Sequence, residues 1–141
     1  MITEIAPKDF QQKFEVVSCF VEHENKILLL LRRDHKSEPN TYGVPAGKVC
    51  PWETIDDAIF RELKEETWIA SSDLQYFTKV FVRFPTYDFI YHMYHMDLPL
   101  LPDITLNDEE HAKYVWRTPE DALKEDLIQD LDACIKMFYK I

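Results

Sequence analysis

The sequence predicts an α/β sandwich, and three observations predict it. Runs rich in β-branched and aromatic residues recur along the chain, one stretch with helical period interrupts them near the middle, and a Thr-Pro-Glu helix start opens a closing segment near the C-terminus. Mixed strands with a central helix and a C-terminal helix must bury their apolar faces against one another, and layers of sheet and helix are the stable solution.

Each element has its own signal. Phe14 to Val21 and Lys26 to Arg33 are two strands, joined through the polar stretch from Glu22 to Asn25 as a short turn. Asp34 to Thr41 is polar and contains Pro39, hence a loop, and Tyr42 to Ala46 reads as a short strand. The central helix starts at Glu53 or Thr54, since Thr54 with Asp57 three residues on resembles a capping box. Leu74 to Phe84 and Asp88 to Leu98 are aromatic-rich strands, with Pro85-Thr86-Tyr87 as the turn between them. Leu98 to His111 is an acidic, proline-containing loop, and Lys113 to Arg117 a strand. Thr118 then caps a helix with Pro119 at its first position, and Glu120 to Tyr139 forms one or two helices.

Composition bounds the function classes. The 141 residues suit one domain, residues 1–141, and 46% apolar content with 13% aromatics supplies a packed interior. A net charge of −10 argues against a grip on a nucleic-acid polymer, so a polyanionic substrate would arrive as a metal complex. The three cysteines, Cys19, Cys50 and Cys134, have no CxxC spacing, which indicates neither a disulfide framework nor a zinc ribbon and fits a reducing cytoplasm. The N-terminal MITEIAPKDFQQKF lacks an apolar core, and the aliphatic run Ile27 to Leu31 is too short to span a bilayer, so the protein reads as soluble, cytoplasmic and without a membrane partner. Both glycines, Gly43 and Gly47, flank a Val-Pro-Ala segment just before the central helix, where the backbone must be tight.

That helix carries the chemistry. Glu62, Glu65 and Glu66 stand at i, i+3 and i+4. On a wheel advancing about 100° per residue from Glu62 at zero, Ile55 falls at about 20°, Ala58 at about 320°, Ile59 at about 60°, Glu65 at about 300° and Glu66 at about 40°. The acids share the apolar stripe, whereas Asp56, Asp57, Arg61, Lys64 and Thr67 already provide a solvent face. Burying such charges unpaired costs several kcal/mol per ion. Oxygen ligands of this kind suit Mg²⁺ or Mn²⁺.

From Gly47, five residues lead to Glu53 and seven more to Arg61-Glu62-Leu63-x-Glu65-Glu66-x-x-Ile69, and this pattern resembles the signature of the Nudix (MutT-like) hydrolases. The resemblance implies a Nudix-type α/β/α sandwich, with a mixed β-sheet between helices, over nearly the whole chain. It also implies metal-dependent hydrolysis of a diphosphate bond in a nucleoside diphosphate linked to a further moiety. Glu62 and Glu66 are then the expected direct metal ligands, Glu65 the partner of a second ion, and the Gly47 carbonyl an additional ligand. Glu53 and Arg61 form a pair that orients the loop against the helix, the other reading being an exposed ion pair. Glu110, with Glu109 in reserve, is the distal acid implied to complete the site, unless Asn107 to His111 is simply a solvated acidic loop. Which carboxylate acts as general base stays open.

Arg33 corresponds by resemblance to a basic residue that contacts substrate, with an exposed strand end as the other reading. Tyr42, Phe84, Tyr87 and Trp52 are aromatics able to stack on a nucleobase, or else core residues. His92 and His95, three apart on a strand, face opposite sides and do not form a metal pair. The chain departs from the family pattern at Trp68, where a glycine is expected, and at Cys50 and Trp52. A tryptophan in a left-handed cap costs about 1–2 kcal/mol, so the helix is expected to end differently or to run on.

The substrate expected is a small nucleotide, foremost a nucleoside triphosphate, handled by a monomer or homodimer. The alternatives are an ADP-ribose or nucleotide-sugar pyrophosphatase and a catalytically weak Nudix-fold module that binds a nucleotide or partner. Pro85 and Tyr87 give single-residue hints toward ADP-ribose and dinucleoside polyphosphates respectively, and the two conflict.

Overall fold

A computed structural model describes residues 1–70 and 73–141 of the chain. The longest strand, β2 (Gln12–His23), is central and buried on both sides. Its Phe14, Val16 and Phe20 face one apolar cluster, and its Val17, Cys19 and Val21 face the other, so period-2 alternation here separates two cores rather than core from solvent. A tight turn at Glu24 and Asn25, both at positive φ, leads into β3 (Lys26–Arg32). The same alternation recurs there, with Ile27 and Leu29 in one cluster and Leu28 and Leu30 in the other.

β2 and β3 pair only at their hairpin end and then diverge. The gap is filled by short pieces: β4 (Tyr42–Gly43) on β3 and β5 (Ala46–Lys48) on β2, so the single short strand expected over Tyr42 to Ala46 is two. After α1 (Ile55–Thr67) come β6 (Gln75–Arg83), β7 (Asp88–Asp97) and β8 (His111–Arg117). With β1 (Ile2–Thr3) at one edge, the sheet runs β1-β6-β7-β2-β3-β4, with β5 on β2 and β8 on β3. The β2–β7 pairing is parallel and the others antiparallel, which makes the sheet mixed.

Helix α1 packs on one face through Ala58, Ile59 and Leu63. The short α2 (Pro119–Ala122) and α3 (Leu131–Tyr139) cover the other with Ala122, Leu131, Cys134 and Ile135, giving an α/β/α sandwich. Thr54 and Thr118 cap α1 and α2, each hydroxyl accepting from the backbone N–H three residues on, at Asp57 and Asp121. Among the described residues no helix is long and apolar enough to cross a membrane.

Helix α1 ends at Trp68, which does adopt the left-handed conformation, φ 62° and ψ 15°, with its N–H donating to the Lys64 carbonyl. The expectation that tryptophan would make the helix end otherwise is corrected. The indole is 61% exposed, so little packing depends on it, and Lys64 Nζ lies 5.8 Å from its ring centroid, a cation–π contact that offsets part of the backbone cost. Trp68→Ala and Trp68→Gly both remove the ring, but only glycine relieves the cap. Chemical denaturation should find the glycine variant more stable than the alanine variant by about 1 kcal/mol.

Candidate active site

The apolar stripe of α1 carries the acids towards the sheet. Glu66, one turn beyond the buried Leu63, is 3% exposed. Its Oε1 accepts a hydrogen bond from the Ala46 N–H of β5 at 3.0 Å. Burial pushes its carboxyl well above the ordinary range; the Ala46 bond opposes this, and the nearby charges of Glu62 and Glu110 add to it.

Glu62 is less deep, its side chain 12% exposed, and burial also raises its pKa while Arg61 pulls it back. The carboxylate lies directly on Gly47: a Cβ at that position would stand 2.1 Å from Glu62 Cδ. Gly47 is therefore required by close approach and not by an unusual φ. Glu65 differs, with a side chain 54% exposed. At about 60° from Glu62 it stands at the margin of the stripe, so the expected face of three buried acids divides into two inner carboxylates and one at the rim.

Arg61 ties this face to the loop before the helix. Its Nε and Nη2 donate to both oxygens of Glu53 at 3.1 and 2.6 Å, its Nη1 to Glu62 at 2.8 Å and Glu65 at 3.3 Å, and its Nη2 to the Lys48 carbonyl at 3.1 Å. Glu53 also accepts from the Cys50 N–H at 2.9 Å. The Arg61 guanidinium, with help from that N–H, holds the Glu53 carboxyl down at about 2. Cys50 stands 3.6 Å from Arg61 Nη2, and Trp52 projects into solvent.

The opposite wall comes from the turn before β8. The N–H groups of Glu110 and His111 both donate to the Asn107 carbonyl, and Arg33 fastens the turn to β3, its N–H donating to the Glu110 carbonyl and its Nε to that of Asp108. Lys36 Nζ lies 3.4 Å from Glu110 Oε1. His111, which the sequence shows only as the end of an acidic loop, is 6% exposed. Its Nε2 lies 3.7 Å from Glu66 Oε2, and its Nδ1 has no hydrogen-bond partner among the described residues. Burial pushes its pKa down to about 4 against the pull of Glu110, so the ring is neutral at neutral pH. An unmet buried polar group of this kind costs about 1–3 kcal/mol.

Donor atoms of Glu66, Glu110 and His111 all lie within 4.8 Å of one another. The buried carboxylate of Glu66, the partly exposed one of Glu110 and an unpartnered imidazole nitrogen are a donor set that fits a divalent cation.

A cavity of about 270 Å³ begins where Gly47 and Lys48 border this face. Phe14, Phe84, Tyr87 and Phe89 form its aromatic wall, and Arg32, Ser37, Glu38, Gln129 and Asp130 supply polar edges. Lys48 Nζ sits 4.3 Å from the Phe14 ring centroid. Neither Arg33 nor Tyr42, the two residues expected to touch substrate, lines this cavity. Tyr42 is buried in the core beside α2 and α3, and Arg33 is engaged with the 107–111 turn; Arg32, one residue earlier on β3, reaches the cavity instead. His92 pairs with Glu15 and Tyr76, and His95 lies near Glu22 and Phe138, so the two histidines have separate surroundings.

The clash at position 47 is with the flexible end of a side chain, which can yield without unfolding anything. Gly47→Ala should therefore fold normally by circular dichroism while its affinity for Mn²⁺ in calorimetry drops by about tenfold or more, because the Glu62 carboxylate is displaced.

Comparison with known proteins agrees with this geometry. The NUDIX domain model matches residues 13–138. The CTP pyrophosphohydrolase of Escherichia coli is 32% identical over 115 residues, covering 80% of this chain and 82% of that protein. The MutT protein from Methanosarcina mazei superposes with a TM-score of 0.81 at 23% identity, covering 95% of this chain and 97% of the other. The E. coli ORF135 protein gives 0.77 at 26% identity, covering 92% and 91%. A family match over nearly the whole length, on a chain whose helix carries two of the signature acids inward and the third at the rim, establishes that the protein belongs to the NUDIX domain family and is a MutT-like Nudix hydrolase acting on phosphoanhydride bonds.

Proposed function

We propose that the substrate is a nucleoside triphosphate, hydrolysed to a nucleoside monophosphate and pyrophosphate. One observation supports this reading: Gly47 lines the aromatic cavity and also lies against the Glu62 carboxylate, so we take a base held by Phe14, Phe84, Tyr87 and Phe89 to direct its phosphates past Gly47 toward Glu62 and Glu66. The similarity to the CTP pyrophosphohydrolase of E. coli, over most of both chains, supports the same class.

Glu62, Glu66, Glu110 and the Gly47 carbonyl are the groups we assign to hold a divalent ion, Mg²⁺ or Mn²⁺, with Glu65 at the rim for a second. When bound, such an ion would neutralise diphosphate oxygens and ease deprotonation of the water that attacks phosphorus. The chain's own residues do the rest. Lys48 and Arg32 place positive charge in the cavity of a protein whose net charge is −10, drawing the phosphates in. Arg61 and Glu53 keep the loop and the helix in register, and Arg33 keeps the turn that bears Glu110 against β3. Removal of the water's proton falls to one of the carboxylates Glu62, Glu65, Glu66 and Glu110.

The experiment is a hydrolysis screen in which the nucleotide products are separated and quantified by chromatography, over canonical nucleoside triphosphates, ADP-ribose, nucleotide sugars and dinucleoside polyphosphates, each with Mg²⁺ and with Mn²⁺. Turnover should be strongest with one or more triphosphates, depend on the metal, and fall by at least about 10²-fold in Glu66→Gln. Preferred cleavage of ADP-ribose or a nucleotide sugar, or tight binding of a triphosphate recovered unchanged, would overturn the assignment.

A further inference from the structure

We propose that His111 supplies a nitrogen ligand to the ion held by Glu66 and Glu110, making this an oxygen–nitrogen site that prefers Mn²⁺ over Mg²⁺ more strongly than an all-oxygen site would. The inference rests on the hydrolase reading only in placing a divalent ion at this face.

Geometry around β8 carries it. Glu110 is the last residue of the turn and His111 the first of β8, so the alternation of side chains along a strand does not separate them. Here the β3–β8 register shifts: Leu31 pairs with Lys113 and Arg32 with His111, leaving Ala112 as an extra residue. A bulge of this kind re-aims the side chains beside it. The outcome is that donor atoms of Glu110, His111 and Glu66 all lie within 4.8 Å of one another, a spacing that an ion with bonds of about 2.0–2.3 Å nearly closes.

The imidazole itself has no other task in view. It is 6% exposed, its Nδ1 has no hydrogen-bond partner among the described residues, and its Nε2 stands 3.7 Å from Glu66 Oε2, beyond hydrogen-bond length. The backbone N–H of His111 is already satisfied by the Asn107 carbonyl, which fixes where the ring emerges. An imidazole lone pair is a good donor to Mn²⁺ and to later transition metals, whereas Mg²⁺ selects oxygen.

Pulsed EPR on the Mn²⁺-loaded full chain tests this without relying on any variant. The spectrum should show coupling to a directly bound ¹⁴N, and His111→Asn should abolish that coupling while lowering the Mn²⁺-over-Mg²⁺ affinity ratio by about tenfold in calorimetry. Bound Mn²⁺ with no nitrogen coupling in the wild-type protein would overturn the proposal and leave the hydrolase reading standing, as would an unchanged affinity ratio in a folded His111→Asn. A folded wild-type chain that binds no Mn²⁺ would overturn this proposal and the metal assignment together. Should His111→Asn fail to fold, the wild-type coupling decides alone.

Discussion

The carboxylate of Glu66, carried under the sheet by the same helical stripe that buries Ala58, Ile59 and Leu63, is the constraint on which the site depends. The helix cannot pack those three residues without also bringing in position 66, which lies within the angular width of the stripe and one turn further on. Among the described residues, the buried charge is answered by a backbone hydrogen bond from Ala46. Glu62 and Glu110 stand close enough to raise its pKa further rather than relieve it. A fold stabilised by about 5–15 kcal/mol in all keeps such an arrangement where a cation completes it.

The surrounding polar contacts make sense as supports for that arrangement. Arg61 lies on the outer side of the same helix, and its bonds to Glu53, Glu62, Glu65 and the Lys48 carbonyl fasten the loop 48–53 to the helix, although Cys50 and Trp52 depart there from the family pattern. Cys50 and Trp52 are thus tolerated, because the loop is shaped by an ion-pair hub instead of by backbone freedom. Gly47 is not replaceable in this way, since its missing side chain is the space that the Glu62 carboxylate occupies. On the far side, Arg33 does for the Glu110 turn what Arg61 does for the loop. Each arginine leaves the carboxylates where an ion can reach them.

Local signals in the sequence are informative about elements and much less so about depth and aim. The caps at Thr54 and Thr118, Pro119 at a helix start, and the double-sided apolar runs of β2 and β3 all follow from short-range chemistry, and they delineate the sandwich. A helical wheel places Glu62, Glu65 and Glu66 together, but a wheel has no radius. Whether a position at the edge of the stripe is inside or outside depends on how far the sheet extends past it, and for Glu65 it does not extend far enough. Trp68 shows the opposite limit, in that a local cost of about 1–2 kcal/mol is overridden by the packing of the helix it terminates. His111 and the Arg32/Arg33 exchange are hidden for one reason. Both depend on the irregular β3–β8 pairing, where a single extra residue changes which side chains meet, and no periodicity within either strand announces it.

The most direct test of the dependence on Glu66 is thermal unfolding of the wild-type chain and Glu66→Gln, each metal-free and with saturating Mn²⁺. Glutamine keeps an oxygen for the Ala46 N–H and removes the charge. Because the folded chain holds the Glu66 proton more tightly than the unfolded one, that group favours folding below the ordinary carboxylate pKa, and its contribution is lost as pH rises through the raised folded-state value. At neutral pH the metal-free glutamine variant should thus be at least as stable as wild type, and Mn²⁺ should stabilise the wild type alone, by about 2.7 kcal/mol at one hundred times its Kd. A metal-free variant that is less stable than wild type, with Mn²⁺ raising both equally, would contradict the account.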